Sequence, residues 1–162
     1  MIALLSTISL FFLNSIINVQ QAVTCHSPNT LINYGSAGAI NQALSGLHEV
    51  TKFEQRDMDA RALGFKIGET PFDPISSINL GRPGLSCGTG DNFVIEGECL
   101  STDLVDMEAY ALAKVCHHHD IPFISFKYIT DNVNEHSVKD WKENLADGII
   151  EFKDKILSNI ER

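Results

Sequence analysis

The sequence has no charged Asp, Glu, Lys or Arg side chain before Glu49, and its first basic residue is Lys52. Residues 1–23 are apolar, but a secretory signal peptide would begin with basic residues and end at a small-residue cleavage site. Polar amide side chains interrupt the apolar run, which makes it short for a membrane span. We therefore expect a buried apolar helix over about residues 6–23. A leader or membrane anchor within residues 1–23 is the alternative.

Basic side chains are scarce in the whole chain. There are 12 Lys and Arg residues against 21 Asp and Glu residues, which gives a formal net charge of −9. Binding to nucleic acid or to an anionic membrane surface needs clustered basic groups. We therefore expect neither nucleic acid nor a membrane as a partner.

Cysteine pairs and common cofactor motifs are also missing. Cys25, Cys87, Cys99 and Cys116 are widely spaced without a CxxC pair, which favours reduced thiols of a cytoplasmic protein over a disulfide framework. The histidines at 117–119 do not predict a metal site, because consecutive helical positions point in different directions. No Walker loop or dinucleotide fingerprint is present. The sequence therefore predicts no cofactor and no metal.

The remaining pattern predicts one α/β domain over residues 1–162. The hydrophobic fraction of 44% is enough for a core. Residues 103–131 predict the end of a strand, a helix over 107–118 and a strongly apolar strand over 121–129. The apolar run of that strand is typical of a central strand covered on both faces. Strands alternating with helices indicate a largely parallel or mixed sheet flanked by helices.

The other predicted elements are weaker. They are a short strand at 31–34, a small-residue loop at 35–39, a helical turn within 41–47, a strand at 50–53, an irregular stretch at 74–84, a Gly-rich turn at 87–94 and an amphipathic helix at 137–160.

Two acidic groups are predicted to reach one crevice. Glu108 lies at the entrance to the predicted helix, and Asp131 lies just past the apolar strand. Ligands of α/β proteins bind at such strand ends, so the pair suggests hydroxyl binding and proton transfer. Each residue also has a structural interpretation. Glu108 could be a first-turn acid favoured by the helix dipole, and Asp131 could cap the following turn.

Four segments resemble the nucleoside phosphorylase superfamily, most closely its 5′-methylthioadenosine/S-adenosylhomocysteine nucleosidase branch. They are NYGSAGAI, RDMDARALGF, TGDNF, and DMEAYALAKVC followed by IPFISFKYITD, in the order of the family. The resemblance implies a phosphorylase-like α/β fold. It also implies hydrolysis of the N-glycosidic bond of a purine nucleoside, in nucleoside catabolism and methionine salvage, with release of adenine.

The resemblance implies roles for several residues. Asp131 would be the general acid that protonates purine N7, with Thr130 orienting it, since a carboxyl at a dry strand end can have a raised pKa. Lys127 would point toward the attacking water, where some members have Arg. Glu108 would accept hydrogen bonds from the ribose hydroxyls, with Met107 against the sugar.

The rest of the implied substrate site comes from two loops. Phe93 would stack on the purine, and the backbone of Val94 would contact the edge of the base. Ser36, Ala37 and Gly38 would lie beside the sugar and the water. Asp106, where the family often has Glu, is interpreted as structural support.

A homodimer is also implied. Ala60, Leu63, Phe65 and Pro71 match a loop that a neighbouring subunit contributes over the 5′-alkylthio pocket. The alternative is that this loop folds onto its own core.

The sequence departs from the family at two places. The N-terminal strand with a Gly-Ala-Met turn, and the Glu that activates water, have no match, and residues 74–86 lack an expected helix and strand. The resemblance therefore predicts a partial domain that is incomplete at the N-terminus. Two alternatives remain open: a catalytically impaired, truncated homologue that binds nucleosides, and a phosphate-dependent purine nucleoside phosphorylase.

Overall fold

The computed structural model describes residues 2–6, 12–95 and 100–160. Its main elements are strands β1 (Ile2–Ser6), β2 (Thr30–Ala39), β3 (Gly46–Gln55), β4 (Ser77–Asn79), β5 (Leu85–Thr89), β6 (Leu104–Asp106) and β7 (Phe123–Asp131), and helices α1 (Phe12–His26), α2 (Ala109–His118) and α3 (Ser137–Phe152). A 3-10 turn covers Arg61–Leu63, and a π-helical turn at Lys153–Leu157 leads from α3 into α4 (Ser158–Ile160).

Five of the described strands pair in a closed ring. Strand β7 lies between β2, to which it is parallel, and β3, to which it is antiparallel. Strand β3 is parallel to β5, and β5 to β6; β6 closes the ring by pairing antiparallel with β2. Strand β1 extends the sheet from β2, and β4 extends it from β3. This mixed sheet with flanking helices confirms the predicted fold class.

Apolar side chains cover the sheet on both faces. On one face, the larger core joins α1 and α2 to the strands through residues that include Val19, Leu31, Phe53, Tyr110 and Phe123. Fully burying a side chain of this size contributes about 1.5–3 kcal/mol. The predicted two-sided covering of the apolar strand is confirmed, although the strand runs over Phe123–Asp131.

On the other face, α3 packs against β2 and β7. Tyr34 and Phe152 stack with their ring centroids 4.5 Å apart. The helix approaches closely at Gly148, where a Cβ atom would lie 2.6 Å from the ring of Tyr128. Helix α3 is thereby held against the two strands that end at the candidate site.

The helix predicted over residues 6–23 is wrong at its start. Ile2–Ser6 is a strand that pairs in parallel with residues 30–34, and the helix begins at Phe12 and continues to His26. Residues 7–11 lie outside the described ranges. A short apolar run has the same composition in a buried strand and in a buried helix, so periodicity does not separate them. In the described part of the chain, no helix has the length and hydrophobicity that crossing a membrane requires.

Strands replace several predicted loops. The expected loop at 35–39 is the second half of β2, because its small residues pack between β6 and β7. The expected helical turn within 41–47 is a single turn, closed by a hydrogen bond from the Leu44 N–H to the Asn41 carbonyl at 3.0 Å, and it leads into β3, which is longer than the predicted 50–53. The stretch at 74–86, expected to lack a strand, contains β4 and the start of β5.

Candidate active site

The ends of four neighbouring strands meet in one row. Gly38 of β2 pairs with Val105 of β6 on one side and with Asp131 of β7 on the other. On the next strand, Thr89 of β5 pairs with Asp106. This register places Asp106 and Asp131 at the same end of the ring, on opposite sides of β2.

Asp131 is held in a defined orientation. Its residue is 5% exposed, Thr130 Oγ1 donates to Oδ1 at 3.0 Å, and the Val133 N–H donates to Oδ2 at 3.4 Å. Burial raises the pKa of the Asp131 carboxyl, and the hydrogen bonds from Ser137, Thr130 and Val133 oppose that rise. A carboxyl in such surroundings keeps its proton closer to neutrality.

Gly38 leaves the space that the Asp131 carboxyl occupies. A Cβ atom at Gly38 would lie 3.0 Å from Asp131 Oδ2 and 3.0 Å from Val133 Cγ2. Val133 belongs to a small buried cluster with Val94 and Val105. The structure therefore brings the predicted base-edge residue Val94 into the apolar cluster that borders Asp131.

A buried ion pair lies inside the ring. Lys127 Nζ is 2.6 Å from Asp106 Oδ2, and the two side chains are 0% and 1% exposed. Asp106 also accepts hydrogen bonds from Thr89 Oγ1 at 2.5 Å and from the Ala109 N–H at 2.8 Å. Burial opposes the charge on Asp106, yet Lys127 and these donors leave its pKa lowered.

Lys127 is charged and lies against the carboxylate of Asp106. Burial lowers its pKa, but Asp106 and Glu108 outweigh this effect and raise it overall. Its Nζ lies within hydrogen-bonding distance of Asp106 Oδ2, and this hydrogen bond is one of the causes of the raised pKa. A buried ammonium has three N–H donors, and the contact with Asp106 engages one of them.

Glu108 precedes α2 and is partly buried, as is its neighbour Met107. Burial raises the pKa of Glu108 to about 7, Lys127 opposes the rise and Asp106 adds to it. The charge of this carboxyl therefore changes near neutral pH.

The other predicted site residues have different surroundings. Ser36 lies on the α3 side of β2, where its Oγ accepts a hydrogen bond from Trp141 Nε1 at 3.0 Å. The carbonyl of Ala37 accepts from Thr130 Oγ1 at 3.4 Å. Phe93 is 42% exposed.

The predicted partner segment is on the surface. Ala60 and Phe65 are partly buried, Pro71 is exposed and Leu63 is 73% exposed. The segment lies outside the main hydrophobic clusters.

Sequence reasoning missed the supporting residues. Thr89 lies within the TGDNF motif, but its hydrogen bond to Asp106 depends on the β5–β6 register. Trp141 lies in the amphipathic helix predicted at 137–160, and the helical pattern does not reveal its hydrogen bond to Ser36. Arg56 begins the RDMDARALGF motif, yet its contacts with Asn92 join segments more than thirty residues apart.

Two surface hollows lie away from these residues. They have volumes of about 290 and 480 Å³ and border helix α1, one of them also bordering α2. Their lining includes Ile16, Ile17, Tyr110 and Lys114 and none of the predicted site residues.

Comparison with known proteins identifies similar sequences. The family model of the phosphorylase superfamily matches residues 97–159. The 5′-methylthioadenosine/S-adenosylhomocysteine nucleosidase of Shewanella sediminis is 32% identical over 149 residues, which cover 75% of this chain and 64% of that protein. The enzyme of the same name from Haemophilus ducreyi is 31% identical over 145 residues, covering 73% and 62%. The chain thus spans slightly less than two thirds of the length of these relatives.

Solved structures share the fold. The nucleosidase of Colwellia psychrerythraea in complex with adenine has a TM-score of 0.78 at 19% identity, covering 88% of this chain and 71% of that one. The nucleosidase of Neisseria meningitidis in complex with methylthio-immucillin-A has a TM-score of 0.77 at 20% identity, covering 88% and 74%. Futalosine hydrolase of Helicobacter pylori has a TM-score of 0.75 at 18% identity, covering 86% and 71%.

Proposed function

Because the chain belongs to the phosphorylase superfamily, we propose that it is a purine nucleosidase that hydrolyses 5′-methylthioadenosine or S-adenosylhomocysteine and releases adenine. The observation that carries the proposal is the Asp131 carboxyl, buried at a strand end with its pKa raised and Thr130 donating to it. The similar sequences that bear this name support the choice of substrate.

Asp131 is the general acid of the proposed reaction. The purine leaves more readily when N7 receives a proton, and a carboxyl whose pKa is raised by burial keeps its proton to a higher pH and can supply it. Thr130 keeps the Asp131 carboxyl in one orientation. The purine would lie over the Val94 cluster, with Phe93 stacked on its face.

Glu108 binds the sugar. Its two oxygens can accept hydrogen bonds from two ribose hydroxyls, and its negative charge favours the positive charge that develops on the sugar ring. Met107, beside Glu108 in sequence, would lie against the ribose as a flexible, polarizable contact. Ser36, Ala37 and Gly38 would border the sugar on the β2 side.

The environment of Lys127 favours hydrolysis over phosphorolysis. A phosphate site needs several free cationic groups, whereas the charge of Lys127 is already neutralised by Asp106 at 2.6 Å. The N–H donors that Asp106 does not engage would hold the attacking water. Lys127 thereby joins Asp131 among the proposed catalytic residues.

A second candidate function is nucleoside binding without turnover. It is favoured by one observation: no acidic residue occurs before Glu49, so this stretch supplies no carboxylate to activate water. In this case Phe93, Glu108 and Asp131 would still recognise a nucleoside.

Further parts of the proposal concern the cell and the oligomer. We place the protein in the cytoplasm, which its scattered cysteines support, and in methionine salvage. The exposed segment that contains Leu63 and Phe65 would meet a second copy of the chain in a homodimer, where Ala60 and Pro71 would border the 5′ substituent of the partner's substrate.

Adenine release from 5′-methylthioadenosine, measured with and without phosphate, tests the function. Release that does not depend on phosphate supports the nucleosidase, and release that requires phosphate indicates a phosphorylase. Binding without release supports the second candidate. Asp131→Asn should abolish release while nucleoside binding persists; a variant that retains full activity would remove Asp131 as the acid.

A further inference from the structure

The turn that precedes Phe93 is held by two side chains from another part of the chain. Arg56 follows β3, and its guanidinium donates to the Gly88 carbonyl at 3.3 Å, to Asn92 Oδ1 at 2.7 Å and to the Asn92 carbonyl at 2.6 Å. Its own N–H donates to the Thr89 carbonyl at 3.0 Å. Together these bonds connect Arg56 to both ends of the turn.

Asp57 holds the middle of the same turn. Its Oδ2 accepts a hydrogen bond from the Asp91 N–H at 2.6 Å. Gly90 fits between the two side chains, because a Cβ atom there would lie 2.7 Å from Arg56 Cζ and 2.7 Å from Asp57 Oδ2. We call Arg56 and Asp57 the clasp, and residues 88–92 the clasped turn.

The clasp has a consequence for Phe93. This ring is 42% exposed, so packing alone leaves it with much of its conformational freedom. Val94, the next residue, is buried in the cluster that borders Asp131. The backbone at Phe93 is therefore held on both sides in sequence, by the clasped turn before it and by the buried Val94 after it.

We propose that Arg56 and Asp57 are positioning residues that act through the clasped turn on Phe93 and so increase affinity for the purine base. The proposal rests on the proposed function. The physical reason is pre-organisation: a turn that is already ordered does not lose further conformational freedom when the ligand binds. Because Phe93 would contact the base in both the ground state and the transition state, the clasp should affect KM more than kcat.

The test compares two arginines that each donate three side-chain hydrogen bonds. Arg56→Met removes the bonds to the clasped turn. Arg82→Met removes two bonds to Glu49 and one to the Phe123 carbonyl, away from the turn. The full chain is used, with 5′-methylthioadenosine as ligand, and KM, kcat, Kd and Tm are measured for each variant.

Arg56→Met is expected to raise KM and Kd by about tenfold, which corresponds to the free energy of one hydrogen bond to a charged group. The change in kcat should be smaller. Arg82→Met should lower Tm without changing KM or Kd. Asp57→Ala should act like Arg56→Met, while Asp57→Asn keeps an acceptor oxygen and should restore most of the affinity. If Arg56→Met does not fold, the comparison of Asp57→Ala with Asp57→Asn tests the clasp in its place.

A double variant shows whether the effect passes through the ring. Phe93→Ala alone should raise Kd, and adding Arg56→Met should raise it no further, because the two changes remove one interaction. Two results would overturn the role of the clasp and leave the proposed function standing. One is that the effects of the two substitutions on Kd multiply in the double variant. The other is that Arg56→Met leaves Kd unchanged while the wild type binds the nucleoside. A wild type that neither binds nor cleaves the nucleoside overturns the proposed function and the clasp with it.

Discussion

Three carboxyl groups near the same end of the strand ring have different pKa values because their surroundings differ. Asp106 has a lowered pKa beside Lys127, Glu108 has a pKa of about 7, and Asp131 has a raised pKa at a dry strand end. Separated pKa values within one site commonly divide acid, base and binding roles among similar groups. Here Asp106 stays charged as a support, Glu108 can exchange a proton near neutral pH, and Asp131 keeps its proton to a higher pH than an ordinary carboxyl.

Glu108→Gln should stabilise the protein at alkaline pH. The folded pKa of about 7 exceeds the ordinary value of 4.5, so the folded state binds this proton more tightly than the unfolded chain. Its contribution is therefore favourable below pH 4.5 and is lost as the pH rises through 7. At pH 8 the variant should gain about 1–3 kcal/mol in the free energy of unfolding.

Urea denaturation at pH 5 and at pH 8 measures this effect. The gain should be confined to the higher pH, and riboside affinity should fall in the same variant, because glutamine has one acceptor oxygen where a carboxylate has two. Equal free energies of unfolding for the variant and the wild type at pH 8 would show that burial does not raise the pKa of Glu108.

Lys127→Met should be strongly destabilising. It leaves the buried Asp106 carboxylate without its counter-charge, which costs about 3–5 kcal/mol when one member of a buried pair is removed. The double variant Lys127→Met, Asp106→Asn removes both charges and should recover part of the loss. Chemical denaturation gives the free energy of unfolding of both variants. A double variant less stable than Lys127→Met would show that loss of the ion pair is not the cause of the destabilisation.

At the scale of elements, the start of α2 is joined to two strands. Thr89 Oγ1 of β5 donates to Asp106 Oδ1 and accepts from the Tyr110 N–H at 2.9 Å, while Asp106 Oδ2 accepts from the Ala109 N–H. The first N–H groups of a helix have no partner within the helix. Two side chains from the sheet satisfy the N–H groups of Ala109 and Tyr110, and so they fix the position of Glu108 immediately before the helix.

Thr89→Val should lower the free energy of unfolding by about 1–3 kcal/mol, because it leaves the buried Tyr110 N–H unsatisfied while keeping the shape of the side chain. Thr89→Ser, which retains the hydroxyl, is the matched control and should lose less. Urea denaturation compares the two. Equal losses would show that packing of the Thr89 methyl group, and not the hydrogen bonds, holds the helix.

The sequence predicts the second half of this chain better than the first. The segment with Glu108 and Asp131 has a long helical pattern and one apolar strand, and both are found within two residues of the predicted bounds. Residues 35–39 are read as a loop because small residues favour turns, yet contacts from β6 and β7 make them a strand. Pairings such as Arg56 with Asn92 depend on register between distant segments, which local pattern does not contain.

At the scale of the whole molecule, exposed apolar side chains concentrate in two segments that the clasp connects. Met58, Leu63, Ile67 and Phe72 lie in the first, and Phe93 and Ile95 in the second; Phe72 is 99% exposed. Exposed apolar groups that cluster mark interaction surfaces more often than those that are scattered. The strand ring positions the carboxyl groups, and the clasp joins the two exposed segments to each other.

The proposed homodimer predicts that Leu63→Asp with Phe72→Asp will yield a monomer. Both side chains lie in the exposed segment, so charges there should oppose association without disturbing the core. Any fall in the Tm of the monomeric variant below that of the wild-type dimer should come from the loss of association alone. Ile150→Asp, at a 59% exposed position on α3, is the matched control and should remain dimeric. Sedimentation velocity over a range of protein concentrations gives the masses. A wild type that is monomeric at every concentration would exclude the shared site, and the Leu63 segment would then need another partner to cover it.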